Sequence, residues 1–229
     1  MHGPADVLLG EMLPRLKDLA EPLLRTGQLW RIQLDTYERE VERYGGDLAI
    51  GYAERVFHAD SEAVVAIMRE LPGDAGPDLR WRLALRGIDQ LFRDLGLTLA
   101  QRRAIAGRAM QGYGREFGAG GEFQRAVGAR LRQHRAGLEV LFGADGNLPG
   151  QIANCVRALD LRSAAIATAA SQIRAVAGTG GGQRLPQVAM SFAHMHANRL
   201  LRSAQRAQEF VLYEMLDRLY ASRAARDAG

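Results

Sequence analysis

Apolar residues recur at three- and four-residue spacing through most of this 229-residue chain. That period places them on one face of an α-helix, so it predicts a predominantly helical fold. The segments that carry the pattern are 7–23, 78–94, 98–116, 120–142, 152–176 and 185–223. Between the first two of these, Asp60-Ser61 is a favourable N-cap, and we expect one helix to end and another to begin there.

One segment departs from the helical period. In Leu29–Tyr37 the apolar residues Trp30, Ile32 and Leu34 alternate with polar ones, as in a half-buried strand. A lone strand cannot satisfy its own backbone groups, so it requires partner strands. We therefore predict the α+β class: a mostly α-helical domain with one strand from an otherwise missing small antiparallel sheet.

The composition is that of a globular protein, with 47% hydrophobic and 24% charged residues. The single cysteine, Cys155, cannot form an intramolecular disulfide, which fits a reducing compartment. The least charged stretch, 163–182, is interrupted by Gln172 and Arg174 and falls short of the roughly 20 apolar residues of a membrane span. We therefore expect a cytoplasmic protein without a membrane span.

The net charge of +4 does not indicate nucleic-acid binding. Of the 30 basic residues 29 are arginine, and acidic residues are interleaved with them instead of leaving a basic stripe. The glycine runs 118–121 and 178–182 lack the Gly-Lys-Ser/Thr of a phosphate-binding loop and are interpreted as helix connectors. Direct binding of nucleic acid is not expected.

Two histidines near the C-terminus are candidates for chemistry. His194 and His196 point about 200° apart on a helix and cannot chelate one metal ion there. His194 shares a face with Asn198, and His196 lies three residues before Arg199. Each imidazole therefore has a polar neighbour that can orient it for proton transfer, or that serves an ordinary packing role. No metal site is predicted.

A charged segment near residue 40 is the second candidate. Arg39 and Arg43 are four residues apart, so on a helix two like charges would meet. Asp35, Glu40 and Glu42 can offset them as part of a solvated charged face. The alternative is an anionic ligand bound between the two arginines.

Three motifs together resemble a known family. They are LDTYEREVERYGG at 34–46, AERVFHADSE at 53–62 and SFAHMHANRL at 191–200, the last followed by Glu209. In this order they resemble the C-terminal domain of class I lanthipeptide dehydratases, which has standalone relatives in thiopeptide biosynthesis. Residues 72–185 resemble the family only in their helical character.

The resemblance implies a β-elimination without a cofactor: a peptide Ser or Thr that carries a glutamyl ester loses glutamate and becomes dehydroalanine or dehydrobutyrine. The implied catalytic residues are His194, for proton transfer, and Arg43, for the anionic glutamyl group. The implied substrate-binding residues are Glu40, Arg39, Arg199 and Asn198. The implied partners are a precursor peptide with glutamylated Ser/Thr and a separate, glutamyl-tRNA-dependent glutamylating dehydratase subunit.

The sequence departs from the family at its beginning. Members normally carry an aromatic-rich strand and a His-Leu-Arg-Leu-Arg strand before the segment that resembles residues 2–8. We therefore expect residues 1–229 to form a single elimination domain that lacks its N-terminal strands. Two other functions remain open: a thiopeptide pyridine synthase, which joins two dehydroalanines by a formal cycloaddition, and a noncatalytic peptide-binding or scaffold subunit.

Overall fold

The computed structural model describes residues 4–71, 76–118, 120–143, 148–179 and 184–227. Within these ranges all regular secondary structure is helical. The helices are α1 (Ala5–Val7), α2 (Leu13–Arg25), α3 (Asp47–Glu70), α4 (Gly76–Asp94), α5 (Leu99–Phe117), α6 (Gly121–Phe142), α7 (Gly150–Thr179), α8 (Arg184–Leu200) and α9 (Gln205–Asp227). A π-helical turn, Leu8–Met12, joins α1 to α2, and a 3₁₀ turn, Glu42–Tyr44, precedes α3.

The first of two compact units spans Met1–Arg39. Its helix is irregular just before Pro14, because proline has no N–H to donate to the carbonyl of Gly10. The chain widens into the π-helical turn there, and the Leu13 amide donates to the Leu8 carbonyl.

The strand predicted at Leu29–Tyr37 is wrong, and with it the α+β class. This segment has no regular secondary structure, and no other described segment forms a ladder with it. Its apolar side chains are exposed to solvent: Trp30 is 80% and Leu34 66% exposed. Alternating apolar and polar residues indicate a segment that can pair with a neighbouring strand. Without such a strand, water satisfies its backbone groups instead. The described part of the chain is all-α.

The second unit, Glu40–Gly229, is a packed helical domain. Helix α3 packs along α7, α5 along α9, and α4 against both α7 and α8. Helices α3 and α7 both carry buried small residues, which allow close packing: Ala49, Ala53 and Ala63 on α3, and Ala169, Ala170 and Ala177 on α7. Helix α4 is central, since Leu85, Ile88 and Phe92 are entirely buried. Each such side chain contributes about 1.5–3 kcal/mol through burial.

Most predicted helices are confirmed, with bounds that differ by three residues or fewer for segments 78–94, 98–116, 120–142 and 152–176. Residues 185–223 form two helices, α8 and α9. The helix start predicted at Asp60-Ser61 is wrong, because α3 runs through Asp60 without a break. The reason is that the Asp60 carboxylate is buried and accepts side-chain donors rather than capping a backbone amide.

The connections between helices are only partly described. Thr98 begins α5 with a capping box, in which its hydroxyl accepts from the Gln101 amide and the Gln101 side chain accepts from the Thr98 amide. The first glycine run ends α5 at Gly118, while residues 119 and 180–182 of the two runs lie outside the described residues. None of the described helices combines the length and apolar composition needed to cross a bilayer.

Candidate active site

Helix α8 carries most of the candidate residues and presents them on two faces. Ser191, His194 and Asn198 share one face, since they are three and four residues apart. His196 points the other way and is completely buried. The two histidines therefore belong to separate clusters, as their spacing predicts.

His194 is held at both ring nitrogens. Its Nδ1 lies 2.9 and 3.0 Å from the two carboxylate oxygens of Glu209, and its Nε2 lies 3.0 Å from Nδ2 of Asn198. A carboxylate accepts hydrogen bonds, so Nδ1 carries the hydrogen and donates it, while the lone pair of Nε2 accepts from the Asn198 amide. The His194 side chain is 25% exposed, so this lone pair lies at the edge of solvent. The predicted pairing of His194 with Asn198 is confirmed.

Glu209 orients the imidazole from the interior. Its side chain is entirely buried, and the Tyr113 hydroxyl donates to it at 3.0 Å. Burial raises the pKa of Tyr113, and the charge of Glu209 raises it further, so the phenol remains a donor. Tyr213, also buried, has its pKa raised by the same two causes. Glu209 is thus a fixed negative charge directed at His194.

Arg43 reaches α8 from the turn before α3. Its Nε donates to the Ser191 hydroxyl at 3.2 Å, and its NH1 donates to Glu40 at 3.1 Å. Its guanidinium also stacks over the Tyr44 ring, 5.7 Å from the centroid. Because Ser191 lies one helical turn before His194, this contact brings Arg43 to the same face of α8. The Arg43 side chain is 40% exposed, so the cation can still meet a ligand.

Two glycines shape this turn. Gly45 and Gly46 have φ of 97° and 90°, which other residues rarely adopt. A side chain on Gly45 would also place its Cβ 3.0 Å from Cβ of Ala49. The turn can therefore run directly into α3 with Arg43 directed toward α8.

The helical spacing assumed for Arg39 does not exist. Residues 31–40 are not helical, and only Glu42–Tyr44 form a 3₁₀ turn. Arg39 belongs to the first unit and Arg43 to the second. The inference of a like-charge pair four residues apart on a helix is therefore wrong, whereas the pairing of Arg43 with Glu40 is seen directly.

The second cluster surrounds Asp60, which is 2% exposed. His196 Nδ1 lies 2.7 Å and Arg162 NH1 2.9 Å from one carboxylate oxygen, and Arg199 NH1 lies 3.1 Å from the other. Arg162 also donates to the Gly87 carbonyl at 2.8 Å. Burial alone would raise the pKa of Asp60, but the hydrogen bond and charges from its three partners outweigh burial and hold that pKa well below its usual range.

Several residues of these clusters have no local signal in the sequence. Asp60 resembles a helix cap, Arg162 lies in an alanine-rich series, and Ser191 is an ordinary helical serine. Each finds its partner across more than 100 positions of sequence. Glu209 follows the third motif, but spacing alone does not assign it to His194. Within the described ranges, no three His, Cys, Asp or Glu side chains converge as metal ligands.

Residues 2–220 match the family described as lantibiotic biosynthesis dehydratase C-term, so the chain belongs to that family. The predicted family is thereby confirmed. None of the curated proteins matches the chain.

A solved structure shares the fold. It is the crystal structure of the tRNA-dependent lantibiotic dehydratase MibB from Microbispora sp. 107891, with a TM-score of 0.70 and 21% sequence identity. The match covers 97% of this chain but 23% of the MibB chain, so the chain spans about a quarter of that protein's length. At this identity the likeness shows the fold alone.

Proposed function

We propose that residues 1–229 act as the glutamate-elimination domain of a lantibiotic-type dehydratase system. The substrate is a precursor peptide whose Ser or Thr carries a glutamyl ester. A base removes the α-proton, the Cβ–O bond breaks, a C=C bond forms, and glutamate departs as a carboxylate. The products are a dehydroalanine or dehydrobutyrine residue and free glutamate, and the step needs no cofactor.

The observation that carries this proposal is the hydrogen-bonded series from Glu209 through His194 to Asn198. A general base must present an unprotonated atom with a lone pair to the substrate, and it must be oriented. Glu209 fixes the hydrogen on Nδ1, which leaves Nε2 as the basic atom. Asn198 occupies Nε2 in this structure, so substrate binding must displace or share its amide. Glu209 then stabilises the imidazolium that forms.

Arg43 supplies the cation that the reaction requires. The reaction releases a carboxylate, and a guanidinium that donates to it lowers the energy of the charge as it develops. Ser191 and Glu40 hold the Arg43 side chain from two sides without neutralising it completely, since Glu40 is 56% exposed. We assign Arg43 and His194 to catalysis and Glu40, Asn198 and Arg199 to support of the substrate site.

The partners follow from the proposed chemistry. The ester must be made first, by a separate glutamylating subunit that uses glutamyl-tRNA. MibB, which is described as tRNA dependent, is much longer than this chain. The chain itself then needs to bind only the glutamylated peptide.

Mass spectrometry tests the proposal directly. The wild-type chain and two variants, His194→Ala and Arg43→Ala, are incubated with glutamylated precursor peptide. The wild type should release glutamate. Both variants should leave the peptide glutamylated, and its mass should exceed that of the unmodified peptide by one glutamate residue. Loss of the general base should slow the reaction by about a hundredfold or more. Arg43→Ala should also weaken peptide binding roughly tenfold, through loss of a charge-assisted hydrogen bond.

Two exposed residues of the same types serve as controls. His58→Ala on α3 and Arg103→Ala on α5 remove a histidine and an arginine from outside the site and should leave elimination unchanged. If His194→Ala eliminates at the wild-type rate, the histidine is a packing residue and the proposal fails. If the wild-type chain binds the glutamylated peptide but never releases glutamate, it is a peptide-binding subunit instead.

A further inference from the structure

A cluster of three aromatic rings links the two arginines of the candidate site. Tyr44, Phe57 and Phe192 pack with ring centroids 4.8–5.6 Å apart. Arg43 stacks over the Tyr44 ring at 5.7 Å, and Arg199 stacks over the Phe57 ring at 5.4 Å. The two guanidinium groups therefore contact the same aromatic cluster, whose Tyr44 and Phe192 rings are almost completely buried.

Arg199 also binds Asp60. Its NH1 donates to the Asp60 carboxylate at 3.1 Å, and its side chain is 21% exposed. Within the described part of the chain, no hydrogen bond is formed by its Nε or NH2. A guanidinium carries five donor hydrogens, so most of the donors of Arg199 remain available to a ligand.

Two buried side chains fix the Asp60 carboxylate. Arg162 and His196, both almost completely buried, bind the oxygen that Arg199 does not use. Arg162 is fixed in turn by the Gly87 carbonyl on α4. Buried ionic groups of this kind stabilise a fold no better, in many cases, than apolar side chains of the same size. Stability alone therefore gives no reason for a buried carboxylate at position 60.

We propose that Asp60 is a positioning residue: it fixes Arg199 as the second of two guanidinium groups, with Arg43 as the first, in a site that recognises both carboxyl groups of glutamate. Glutamate has two carboxyl groups, of which one forms the ester and the other stays free. Two fixed cations match a ligand with two carboxylates and discriminate against a ligand with one. This inference deepens the proposed function and rests on it for the identity of the ligand.

Equilibrium binding tests the inference without catalysis. The probes are free glutamate and glutamine, which differ in that glutamine carries an amide in place of the side-chain carboxylate. Their dissociation constants for the whole chain are measured by ligand-detected NMR. We expect the wild type to prefer glutamate by about tenfold, since one additional charge-assisted contact contributes a factor of this size. Arg199→Gln should reduce this preference to less than about twofold, and Arg199→Lys should restore part of it.

A double-mutant cycle then assigns the role of Asp60. Asp60→Asn should reduce the preference for glutamate severalfold in the wild-type background and should have no further effect on it in the Arg199→Gln background. Asp60→Glu, which keeps the charge but moves it, should give an intermediate preference and serves as the test if Asp60→Asn does not fold. Asp89→Asn is the matched control: Asp89 is an equally buried carboxylate with arginine partners, Arg93 and Arg102, on α4 and α5. Asp89→Asn should leave the preference for glutamate unchanged.

The outcomes separate the two proposals. If the wild type does not distinguish glutamate from glutamine, or if Asp60 and Arg199 variants act additively, the positioning role is refuted. If the chain binds glutamate with the expected coupling but does not catalyse elimination, the proposed reaction fails and the two-cation site stands.

Discussion

At the scale of single residues, Gly87 shows how closely the Asp60 cluster is packed. A Cβ on Gly87 would lie 2.1 Å from Nε2 of His196. Both residues are in helices, α4 and α8, so neither can move far without shifting a whole element. Position 87 therefore accommodates the imidazole only because it has no side chain.

We predict that Gly87→Ala lowers the free energy of unfolding by about 1–3 kcal/mol, the usual cost of overpacking a core. The helix preference of alanine acts in the opposite direction and does not compensate. Gly112→Ala on α5 is the matched control, because a Cβ there meets nothing within 4 Å. It should raise the free energy of unfolding by about 0.4–1 kcal/mol. Urea denaturation measures both; equal stabilisation by the two variants would contradict the packing described here.

The parts of the site that the sequence predicts are the local ones. Helical spacing alone pairs His194 with Asn198, and the close spacing of Arg43 and Glu40 allows their ion pair. The contact between Asp60 and His196 joins residues 136 positions apart, so it depends on how α3 and α8 pack. A hydrophobic period gives the face of a helix that is buried, but not which polar residue of another helix it meets.

At the scale of elements, the helical period is a reliable guide and the alternating period is not. A helix satisfies its backbone within one segment, so the local sequence is sufficient to define it. A strand satisfies its backbone only through a neighbour, which the local sequence does not contain. That difference explains why α4 to α7 are predicted within three residues and the segment Leu29–Tyr37 is not.

The exposed segment makes a spectroscopic prediction. Trp30 is 80% exposed, whereas Trp81, on α4, is 5% exposed. In Trp81→Phe the remaining fluorescence, from Trp30, should be red-shifted and readily quenched by acrylamide. In Trp30→Phe the emission of Trp81 should be blue-shifted and quenched severalfold less. A protected Trp30 would mean that the segment is covered in solution.

At the scale of the whole molecule, the Asp60 cluster connects elements that are distant in sequence. Asp60 on α3 joins Arg162 on α7 to His196 and Arg199 on α8. Arg162 also donates to a backbone carbonyl of α4. Four of the helices of the second unit therefore depend on one ionised carboxyl group.

We predict that this dependence appears as sensitivity to acid. The pKa of Asp60 is lower in the folded protein than in the unfolded chain, where it is about 3.9. Its contribution to stability is therefore complete at neutral pH and is lost as the pH falls below the unfolded value toward the folded one. Between pH 7 and about pH 3 this one group should remove about 1 kcal/mol of unfolding free energy. Asp60→Asn should be less stable at pH 7 but lose less over that interval.

Asp94→Asn is the control for the acid measurement. Burial raises the pKa of Asp94, although the Ser163 hydroxyl donates to it at 2.7 Å. A raised pKa means that the folded state binds this proton more readily, so acid favours folding at this position. Replacing Asp94 should leave the acid sensitivity equal or greater. Urea denaturation at several pH values compares the three proteins; an unchanged pH profile for Asp60→Asn would contradict the role of the carboxylate.

The buried charges around Asp60 also have a consequence for laboratory evolution. A library sorted only for survival at high temperature should exchange Asp60, Arg162 and His196 for apolar residues, since such exchanges are often neutral or stabilising. The selected proteins would be well folded, but their Arg199 would have no anchor. Thermal tolerance and glutamate recognition are therefore competing targets at these positions, and a screen for robust variants must include a screen for ligand binding.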